Sequence, residues 1–474
     1  MSLETDRHAA ASAPSHSQGA DVASVLQTLR TAFESGLTRD LSWRQAQLAA
    51  LERMMVENEA AIAEALKTDL GKPFAEASTA EIDFIRKEAS QARKHLRRWT
   101  RPQRTPTPIA IQPGKSFIES SPYGVTLIIG AWNYPFQLVL APLIGAIAAG
   151  NGAVIKPSEM AAQSSALLKR LVERYLDPRA FAVVEGDADV STALLAQPFD
   201  LIFYTGGERV ARVVMAAAAR HLTPVVLELG GQNPCIVDET ADLAVAARRI
   251  VWGRFLNAGQ ICVAPDHVYV AASVEAPLLE ALKQAVTAMF GRDPKQSSDF
   301  GRIVNRRHTE RLQALLADGR AITGGQVDLD ACYVAPTILT EVSADAAVMA
   351  EEIFGPILPV IPYATLDEPL AAINARSPAL ALYAFTKDAA TADRIIASTR
   401  SGSATINDAV VFMTNPNLPF GGVGASGMGA YHGRFSFETF SHRRAVLKRG
   451  FALDASIRYP PFNKAKLGLL RRMA

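Results

Sequence analysis

Apolar positions in the first hundred residues recur at helical spacing. Within 22–67 they stand three, four or seven residues apart, with no β-rich run between them, which predicts amphipathic helices. A second helical stretch is predicted over about 80–99, and it ends in Arg and Lys side chains, the charge that a helix C-terminus favours. Residues 101–119 then contain four prolines and few helix-forming residues, so we expect an extended arm there.

Beyond residue 120 the pattern changes to short β-branched runs. These runs cover 125–129, 153–155, 182–184, 201–204 and 225–227. Helical periodicity fills the intervals, most clearly at 160–176 and 208–220. Alternation of strand and helix predicts parallel βαβ units, and therefore an α/β fold with a doubly wound sheet of nucleotide-binding type.

Length and composition narrow the class of protein. A chain of 474 residues exceeds the size at which one hydrophobic core stops growing, so two or three domains are expected. The net charge of +2 arises from 49 basic and 47 acidic residues without long one-sign runs, which argues against nucleic acid as the main partner. Only three cysteines occur, a number typical of a reducing compartment, and we expect a cytoplasmic protein.

Two segments bear on membrane contact. Residues 120–155 carry no charge, but Asn, Gln, Pro and Gly interrupt them, so they predict a buried strand, helix and strand rather than a transmembrane segment. The last twenty residues contain five basic side chains and no acid. A solvated basic tail is the first interpretation of this segment, and an interfacial membrane helix is the alternative.

Two glycines follow the predicted strand at 201–204. Gly206 and Gly207 stand between that strand and a helix, where glycines let backbone amides approach a phosphate or an adenine ring. The dinucleotide fingerprint G-x-G-x-x-G is absent from this turn, and a plain tight turn is the alternative interpretation.

Cys262 and Glu228 are the candidate catalytic residues. A free cysteine is most often buried and inert, but Cys262 lies between the Ala-Gly and Pro-Asp pairs of a predicted loop. Glu228 ends an apolar strand, and two glycines follow shortly after it, a place where α/β folds carry working groups. A cysteine nucleophile and a glutamate base suit the formation and hydrolysis of a thioester.

Seven motifs connect this chain to a known family. In order they are Trp132-Asn-Tyr-Pro, Lys156-Pro-Ser-Glu, Tyr204-Thr-Gly, Glu228-Leu-Gly-Gly, Gly259-Gln-Ile-Cys, Glu351-Glu-Ile-Phe-Gly-Pro and Leu418-Pro-Phe-Gly-Gly. With these motifs the chain resembles the aldehyde dehydrogenase superfamily from about residue 22 to residue 450. The stretch that begins Met428-Gly-Ala-Tyr-His is similar to the class 3 branch. The resemblance implies an aldehyde dehydrogenase-like fold, with a doubly wound nucleotide-binding domain, a second α/β catalytic domain and a small bridging arm.

The resemblance also implies catalytic roles. Cys262 matches the nucleophile and Glu228 matches the general base of the family. Asn133 matches the side-chain amide that forms an oxyanion hole with the backbone N–H of Cys262. These roles imply an aldehyde dehydrogenase that forms a thiohemiacetal and then a thioester, with NAD or NADP as cofactor and no metal at the site.

The same comparison implies a set of cofactor-binding residues. They are Trp132, Lys156, Glu159, Gly206, Gly207, Glu352 and Phe354. Lys156 matches the ammonium that hydrogen-bonds the adenosine ribose, and Glu352 matches the carboxylate on the nicotinamide ribose. Glu159 lies near the adenosine 2′ position, where class 3 members with glutamate often accept both NAD and NADP. Gly207 and Ala211 depart from the family pattern of Ser and Gly at the adenine end.

The class 3 resemblance implies aromatic or medium-to-long aliphatic aldehydes as substrates, and a homodimer that pairs through the bridging arm. Residues that match substrate-lining positions are Phe84, Trp252, Phe412 and His432, although core packing is the alternative interpretation of each. Glu228 speaks against the CoA-acylating branch and against a glutamyl-phosphate reductase, which generally lack that base. A non-catalytic binding protein and a cofactor-free thiol hydrolase are further alternatives.

These observations together predict the domain organisation. We expect a disordered tail at 1–20 and an NAD(P)-binding domain at 21–225, with the bridging arm inserted at about 101–119. A catalytic domain follows at 226–413. A glycine-rich loop and bridging or oligomerisation segment is expected at 414–450, before the basic tail at 451–474.

Overall fold

The structure, a computed structural model that describes residues 16–473, begins with a group of helices. These are α1 His16–Glu34, α2 Leu41–Glu57, α3 Glu59–Leu70, α4 Phe74–Glu76 and α5 Asp83–Trp99. A π-helical turn, Ala77–Ile82, joins α4 to α5. The helices predicted over 22–67 and 80–99 are therefore confirmed, and the second ends at Trp99 as its basic last turn indicates.

The predicted tail at 1–20 lies mostly outside the described residues, which start at residue 16. Residues 16–20 are described as part of α1, and the rest of this predicted tail lies outside the described residues. Helix α1 buries Val22, Leu26 and Leu29 in a hydrophobic core. Once that turn is anchored, each further residue adds a backbone hydrogen bond at little cost, and the helix extends towards its N-terminus.

Residues after α5 form the predicted arm. Strands β1 Gln103–Thr105 and β2 Gly114–Pro122 pair antiparallel. The arm therefore reaches residue 122, slightly beyond the predicted limit of 119. Its third strand comes from the far end of the chain and is described below.

A parallel sheet follows the arm. Its strands are β3 Val125–Ile129, β4 Gly152–Lys156, β5 Phe181–Val183, β6 Leu201–Thr205 and β7 Val225–Glu228. The helices between them are α6 Gln137–Ala149, α7 Ala162–Tyr175, α8 Ala188–Leu195 and α9 Glu208–Ala219. Neighbours pair in the order β7-β6-β3-β4-β5, which confirms the doubly wound topology. Each predicted strand is found within one residue of its expected position, because a buried parallel strand reads as one continuous apolar run.

The uncharged stretch at 120–155 is explained by this sheet. Strands β3 and β4 are buried along their whole length, and every residue of α6 between them is buried. The prediction of strand, helix and strand is confirmed. Within residues 16–473, no helix has both the length and the apolar content needed to cross a bilayer.

A second, mostly parallel sheet forms the other large domain. Its strands include β8 Pro234–Val237, β9 His267–Ala271, β10 Arg320–Thr323, β13 Thr337–Thr340, β14 Ile357–Tyr363, β15 Ala379–Phe385 and β16 Ser401–Ile406, while β11 Val327–Asp328 and β12 Tyr333–Val334 form a separate hairpin. Its helices are α10 Leu243–Phe255, α11 Glu275–Phe290, α12 Arg306–Leu315, α13 Asp367–Asn374 and α14 Ala389–Ser398. The strand order is β10-β13-β14-β9-β8-β15-β16, with only β10 antiparallel to its neighbour.

The C-terminal part returns to the first domain and to the arm. It contains β17 Gly427–Met428, α15 Gly433–Thr439, β18 Ser441–Arg449 and α16 Lys464–Met473. Strand β17 pairs antiparallel with β7, whereas β18 pairs with β2 over its whole length. The segment at 414–450 is thus divided between the first sheet and the arm.

The predicted domain boundary between residues 225 and 226 is placed too early. Strand β7 belongs to the first sheet, since Leu227 pairs with Tyr204 and Glu228 pairs with Thr205. The second sheet starts only at Pro234. The boundary therefore follows Glu228, which places this carboxylate at the carboxyl end of a first-domain strand, where it faces the second domain.

Candidate active site

A cavity of about 250 Å³ lies where the carboxyl ends of the first sheet meet the second domain. Its lining includes eight of the predicted site residues: Trp132, Asn133, Gly206, Gly207, Glu228, Cys262, Glu352 and Phe354. They come from both large domains and from separate stretches of the sequence. The topology therefore converts dispersed motifs into one site.

Cys262 stands on a loop with unusual backbone geometry. The loop runs from the end of α10 through three consecutive residues with positive φ, namely Asn257, Ala258 and Gly259. A Cβ on Gly259 would clash with the backbone of Gly355, so only glycine fits the close approach of the two loops. Cys262 itself is partly exposed to the cavity.

A side chain of the loop itself and one from α4 hold this loop in place. Gln260 donates to the carbonyls of Asn257 and Arg302, at 2.9 Å each, and accepts from the backbone of Val304 at 3.0 Å. Glu76 accepts from the backbone N–H of Asn257 at 2.8 Å. Backbone strain at a loop is maintained when its surroundings over-determine it, and these bonds do so beside the candidate nucleophile.

The thiol of Cys262 is not pre-ionised by this protein environment. Burial raises its pKa, and the negative charges of Glu352 and Glu228 raise it further. The backbone N–H groups of Cys262 and Val263 act in the opposite direction. A thiolate at this position therefore needs additional positive charge beside the sulfur, or a proton acceptor, before it attacks a substrate.

Glu228 faces the same cavity from the end of β7. It is 3% exposed, and among the described residues neither carboxylate oxygen has a hydrogen-bond partner. Burial raises the pKa of Glu228 well above its ordinary value. A buried carboxyl group without partners is costly to maintain and is a recurrent sign of a functional group.

Asn133 lies in the turn between β3 and α6, and its side chain reaches the Cys262 loop. The amide nitrogen of Asn133 donates to the backbone carbonyl of Gln260 at 2.9 Å. The side-chain amide of Asn257 donates to the backbone carbonyl of Asn133 at 3.0 Å. The turn and the loop are therefore tied to each other by two side-chain amides, which keeps an N–H donor beside Cys262.

Trp132, Glu352 and Phe354 also line the cavity. The ring of Phe354 packs perpendicular to Trp132, with their centroids 5.4 Å apart. One carboxylate oxygen of Glu352 is buried without a partner, and the other occupies the space that a Cβ on Gly230 would fill. An acceptor that lacks a protein donor fits a ribose hydroxyl, so these residues are compatible with NAD or NADP.

Burial raises the pKa of Glu352 to about 8, and the nearby Asp266 carboxylate adds to this effect. The guanidinium groups of Arg254 and Arg311 act against it. Arg254 is fully buried and contacts Asp266 at 3.3 Å. Asp266 also accepts from the backbone of Ile353 at 3.0 Å, so it supports the segment that carries Glu352.

Lys156 and Glu159 lie outside the lining of this cavity. Lys156 is at the carboxyl end of β4, which pairs with β3, and it is 2% exposed. Its ammonium group donates to the carbonyl of Pro157 at 2.7 Å and to Glu159 at 3.3 Å. In the sheet, β3 separates β4 from β6. The pair of Lys156 and Glu159 therefore lies at the same edge of the sheet as the cavity, two strands from β6.

Three of the four predicted substrate residues form an aromatic cluster. Phe84 contacts the edge of the His432 ring at 5.1 Å between centroids, and Phe420 stacks on His432 at 4.9 Å and on Phe412 at 6.0 Å. Trp252 does not join these ring contacts and is 39% exposed on α10. None of the four lines the 250 Å³ cavity.

Tyr431 extends this aromatic cluster, and its hydroxyl is influenced by the charges of Glu228 and Cys262. Its ring lies 4.2 Å from His432, and burial raises the pKa of its hydroxyl, with Glu228 and then Cys262 adding to the effect. Burial lowers the pKa of His432 to about 3. His432 is therefore a neutral aromatic ring at physiological pH, and it contributes an apolar wall rather than a charge.

Several side chains at the site were not predicted from the sequence. His308 and Arg311 line the cavity from α12, and His308 packs against Trp132 with 5.6 Å between centroids. Their spacing of three residues on one helix face was the only local signal. Among residues 16–473, no group of three or more His, Cys, Asp or Glu side chains is arranged to hold a metal ion.

Comparison with known proteins agrees with this arrangement. The sequence pattern of the Aldehyde dehydrogenase family matches residues 5–446. The chain is 46% identical to a 4,4'-diaponeurosporen-aldehyde dehydrogenase of Staphylococcus aureus, over 91% of this chain and 94% of the relative. It is 45% identical to a rat "Aldehyde dehydrogenase, dimeric NADP-preferring", over 93% of this chain and 98% of the relative.

A solved structure described as the substrate-bound state of Staphylococcus aureus AldH has a TM-score of 0.93 to this fold. It shares 43% sequence identity and covers 95% of this chain and 99% of its own. Together with the domain architecture, these matches show that the chain belongs to the aldehyde dehydrogenase family. It is an NAD(P)-dependent aldehyde dehydrogenase of the family 3 type, and hence an oxidoreductase that uses NAD or NADP.

Proposed function

We propose that this enzyme oxidises aromatic and medium or long aliphatic aldehydes to carboxylic acids through a thioester on Cys262, with Glu228 as the base for hydrolysis. The observation that carries the proposal is the convergence of Cys262, Glu228 and Asn133 on one cavity. Both oxygens of Glu228 are buried there without a partner among the described residues. A free acceptor beside a thiol is what activation of a hydrolytic water requires.

In the first step the Cys262 thiol loses its proton to solvent, and the sulfur bonds to the aldehyde carbon. The carbonyl oxygen becomes an oxyanion, which accepts hydrogen bonds from the Asn133 amide and the backbone N–H of Cys262. Held by Glu352, Phe354 and Trp132, NAD(P)⁺ would supply the hydride acceptor that this oxidation needs. The C=O bond reforms as the hydride leaves, and the product on the enzyme is a thioester.

The second step is hydrolysis. Glu228 accepts a proton from water as the water oxygen bonds to the thioester carbon. The tetrahedral species collapses, the C–S bond breaks and the carboxylic acid departs. Because burial raises the pKa of Glu228, its carboxylate, once ionised, is a stronger proton acceptor than an exposed glutamate.

Cofactor contacts follow from the same arrangement. Glu352 is proposed to accept from the nicotinamide ribose, with Phe354 and Trp132 beside it. Lys156 is proposed to donate to the adenosine ribose, with Glu159 near the 2′ position. The turn at Gly206 and Gly207 is proposed to lie against the adenosine part, where it adds little bulk.

The substrate tail is proposed to lie along the aromatic cluster of Phe84, Phe412 and His432. These side chains are aromatic and, at neutral pH, uncharged, which suits an apolar aldehyde. The Staphylococcus aureus relative, by its name, acts on the apolar aldehyde 4,4'-diaponeurosporen-aldehyde. Trp252 was predicted beside these residues but lies apart from their ring contacts, and its role at the substrate is kept as a proposal on resemblance alone.

The enzyme is proposed to be a homodimer. Within residues 16–473, strand β18 pairs with β2 on one side only, so its other edge offers unpaired backbone groups along nine residues. A second copy can cover such an edge, and the rat relative is named as dimeric. Light scattering at micromolar concentration should give twice the mass of the 50.8 kDa chain; a monomer or a tetramer would contradict the proposal.

The decisive experiment concerns Glu228. Glu228→Gln keeps the shape of the side chain but cannot accept a proton, so hydride transfer should continue while hydrolysis stops. Rapid mixing with aldehyde and NAD(P)⁺ should give one equivalent of NAD(P)H per site, followed by turnover reduced roughly 10²–10⁴-fold. Intact mass should show an acyl group on Cys262 that hydroxylamine removes.

Glu341→Gln is the matched control, because it makes the same substitution at a surface position. The Glu341 side chain is 66% exposed and bonds to Arg320. Glu341→Gln should retain full turnover. If Glu228→Gln gives no burst, Glu228 is needed before hydride transfer. If its turnover is normal, another group is the base.

A further inference from the structure

A buried ion pair lies directly behind the turn that carries Asn133. The ammonium of Lys72 and the carboxylate of Glu81 are 2.6 Å apart, and both side chains are fully buried. Lys72 follows Gly71, whose left-handed conformation ends α3. Glu81 belongs to the π-helical turn Ala77–Ile82, a local irregularity that recurs at functional sites.

Each member of the pair also bonds to the turn. Lys72 donates to the backbone carbonyl of Asn133 at 2.9 Å, and its ammonium lies 3.9 Å from the centre of the Tyr134 ring. The second oxygen of Glu81 accepts from the backbone N–H groups of Phe136 and Gln137, at 3.0 Å and 2.9 Å. The pair therefore holds both ends of the segment 133–137 by hydrogen bonds.

These hydrogen bonds fix the backbone from which the Asn133 side chain projects. The Asn133 carbonyl receives one bond from Lys72 and a second from Asn257, which holds its peptide plane against rotation. With the backbone held, the side-chain amide is aimed at the Cys262 loop, where it donates to the carbonyl of Gln260. The ion pair and the amide thus lie on opposite sides of one fixed residue.

Stability alone does not explain such a pair. Removal of two charges from water costs free energy, and apolar residues of similar volume often replace a buried ion pair without loss of stability. What an apolar pair cannot supply is directed hydrogen bonds to a carbonyl and to two amides. The feature that distinguishes Lys72 and Glu81 is therefore their control of backbone orientation.

We propose that Lys72 and Glu81 are positioning residues that aim the Asn133 amide at the reacting carbonyl oxygen. The inference rests on the proposed oxyanion role of Asn133. It predicts that the pair acts on catalysis only through Asn133, and a displacement of about 1 Å in such a group can cost roughly 10²-fold in rate.

A double-mutant cycle tests this dependence. The double variant Lys72→Met with Glu81→Gln removes both charges of the pair and keeps an acceptor for the amides of Phe136 and Gln137. The first-turnover rate of NAD(P)H formation should fall roughly 10- to 100-fold in this variant. In an Asn133→Ala background the same pair of changes should have less than about a twofold effect, because the group that it aims is gone.

Two readouts separate positioning from general damage. NAD(P) affinity, measured by fluorescence titration, should be unchanged, since the pair does not contact the cofactor side. Arg44→Met is the matched control: Arg44 is a buried cation that bonds to the carbonyl of Ala148, near the opposite end of α6 from Gln137. It should lower Tm but leave the first-turnover rate unchanged.

The outcomes are distinguishable. Equal rate losses with and without the Asn133 side chain would overturn the positioning proposal. An unaltered rate in Asn133→Ala itself would instead overturn the proposed oxyanion role. If the double variant does not fold, Glu81→Asp, which keeps the charge but shortens the side chain that accepts from Phe136 and Gln137, is placed in the same cycle, and the same comparison of backgrounds decides.

Discussion

The side-chain amide of Asn233 donates a hydrogen bond to the backbone carbonyl of Cys262 at 2.8 Å, and a second to the carbonyl of Ala264 at 3.0 Å. Asn233 precedes β8, and its oxygen accepts from the backbone of Ala381 on β15. The loop with the candidate nucleophile is therefore fastened to the centre of the second sheet, while Asn133 and Glu228 approach from the first domain.

We expect Asn233→Ala to loosen the Cys262 loop. The variant leaves two buried carbonyls without their donor, which should cost about 1–3 kcal/mol of stability. Because the sulfur is then less well placed, kcat should fall roughly 10- to 100-fold with a smaller change in KM. Asn374→Ala is a suitable control, since its amide bonds to an exposed carbonyl of Ser398 far from the site. Equal activity of the two variants would contradict this role.

Cys262→Ala should abolish aldehyde oxidation and leave NAD(P) binding nearly intact, because the thiol is the proposed point of covalent attachment. Residual turnover should be below a few per cent of wild type (roughly, allowing for contaminating enzyme). An alkylating aldehyde analogue followed by peptide mass spectrometry should place the label on Cys262. Label on Cys235, which is fully buried, or on Cys332 would refute the assignment.

The raised pKa of Glu352 predicts a pH-dependent difference in stability. Its pKa is about 8 in the fold against an ordinary value of 4.5. A raised value means that its contribution to stability is fully present below pH 4.5 and is lost as pH rises to 8. Glu352→Gln does not titrate, so in the absence of cofactor it should be more stable than the parent at pH 9, by on the order of 1–4 kcal/mol.

Denaturant unfolding of the parent and of Glu352→Gln at pH 4.5 and pH 9 would check this expectation. Burial lowers the pKa of His432 to about 3, which gives both proteins an opposite trend at acid pH, so only their difference is informative. A difference that is the same at both pH values would show that Glu352 is not responsible. Cofactor titration of the same variant should also show weaker binding.

Gly207→Ser should strengthen the adenosine end of the cofactor site. Gly207 is the N-cap of α9 and offers no side-chain hydrogen bond, and a Cβ at this position would meet no atom within 4 Å. A serine there can cap the helix, which stabilises the fold by a few tenths to about 1 kcal/mol, and it supplies a hydroxyl near the proposed adenosine site. We expect a lower Kd for NAD(P), measured by fluorescence titration.

Gly206→Ser is the matched comparison for this prediction. A Cβ at Gly206 would clash with the hydroxyl of Tyr204, so the same substitution one residue earlier should weaken the fold and the cofactor site. If both serine variants bind the cofactor equally well, the turn does not contact the adenosine part.

Local pattern was sufficient for the main elements of the first domain. The five parallel strands of the first sheet were predicted within one residue, because each is a continuous apolar run between polar or glycine-rich turns. Five of the eight motif residues that line the cavity follow or end strands of the first sheet, whose parallel strands bring their carboxyl ends to one edge. Cys262, Glu352 and Phe354 come instead from loops of the second domain, which only the fold brings to that edge.

What the sequence by itself determined, then, is the α/β class, the order of the elements and the motif residues at their ends, because hydrophobic periodicity and strand-end motifs are local properties. Only the tertiary structure decided which distant segments meet. It joined β18 to β2, returned β17 to β7, and placed Lys72 behind Asn133 and Asn233 behind Cys262. Such contacts depend on chain topology and on buried polar groups finding partners, and residues that meet only after folding leave no periodic trace along the chain.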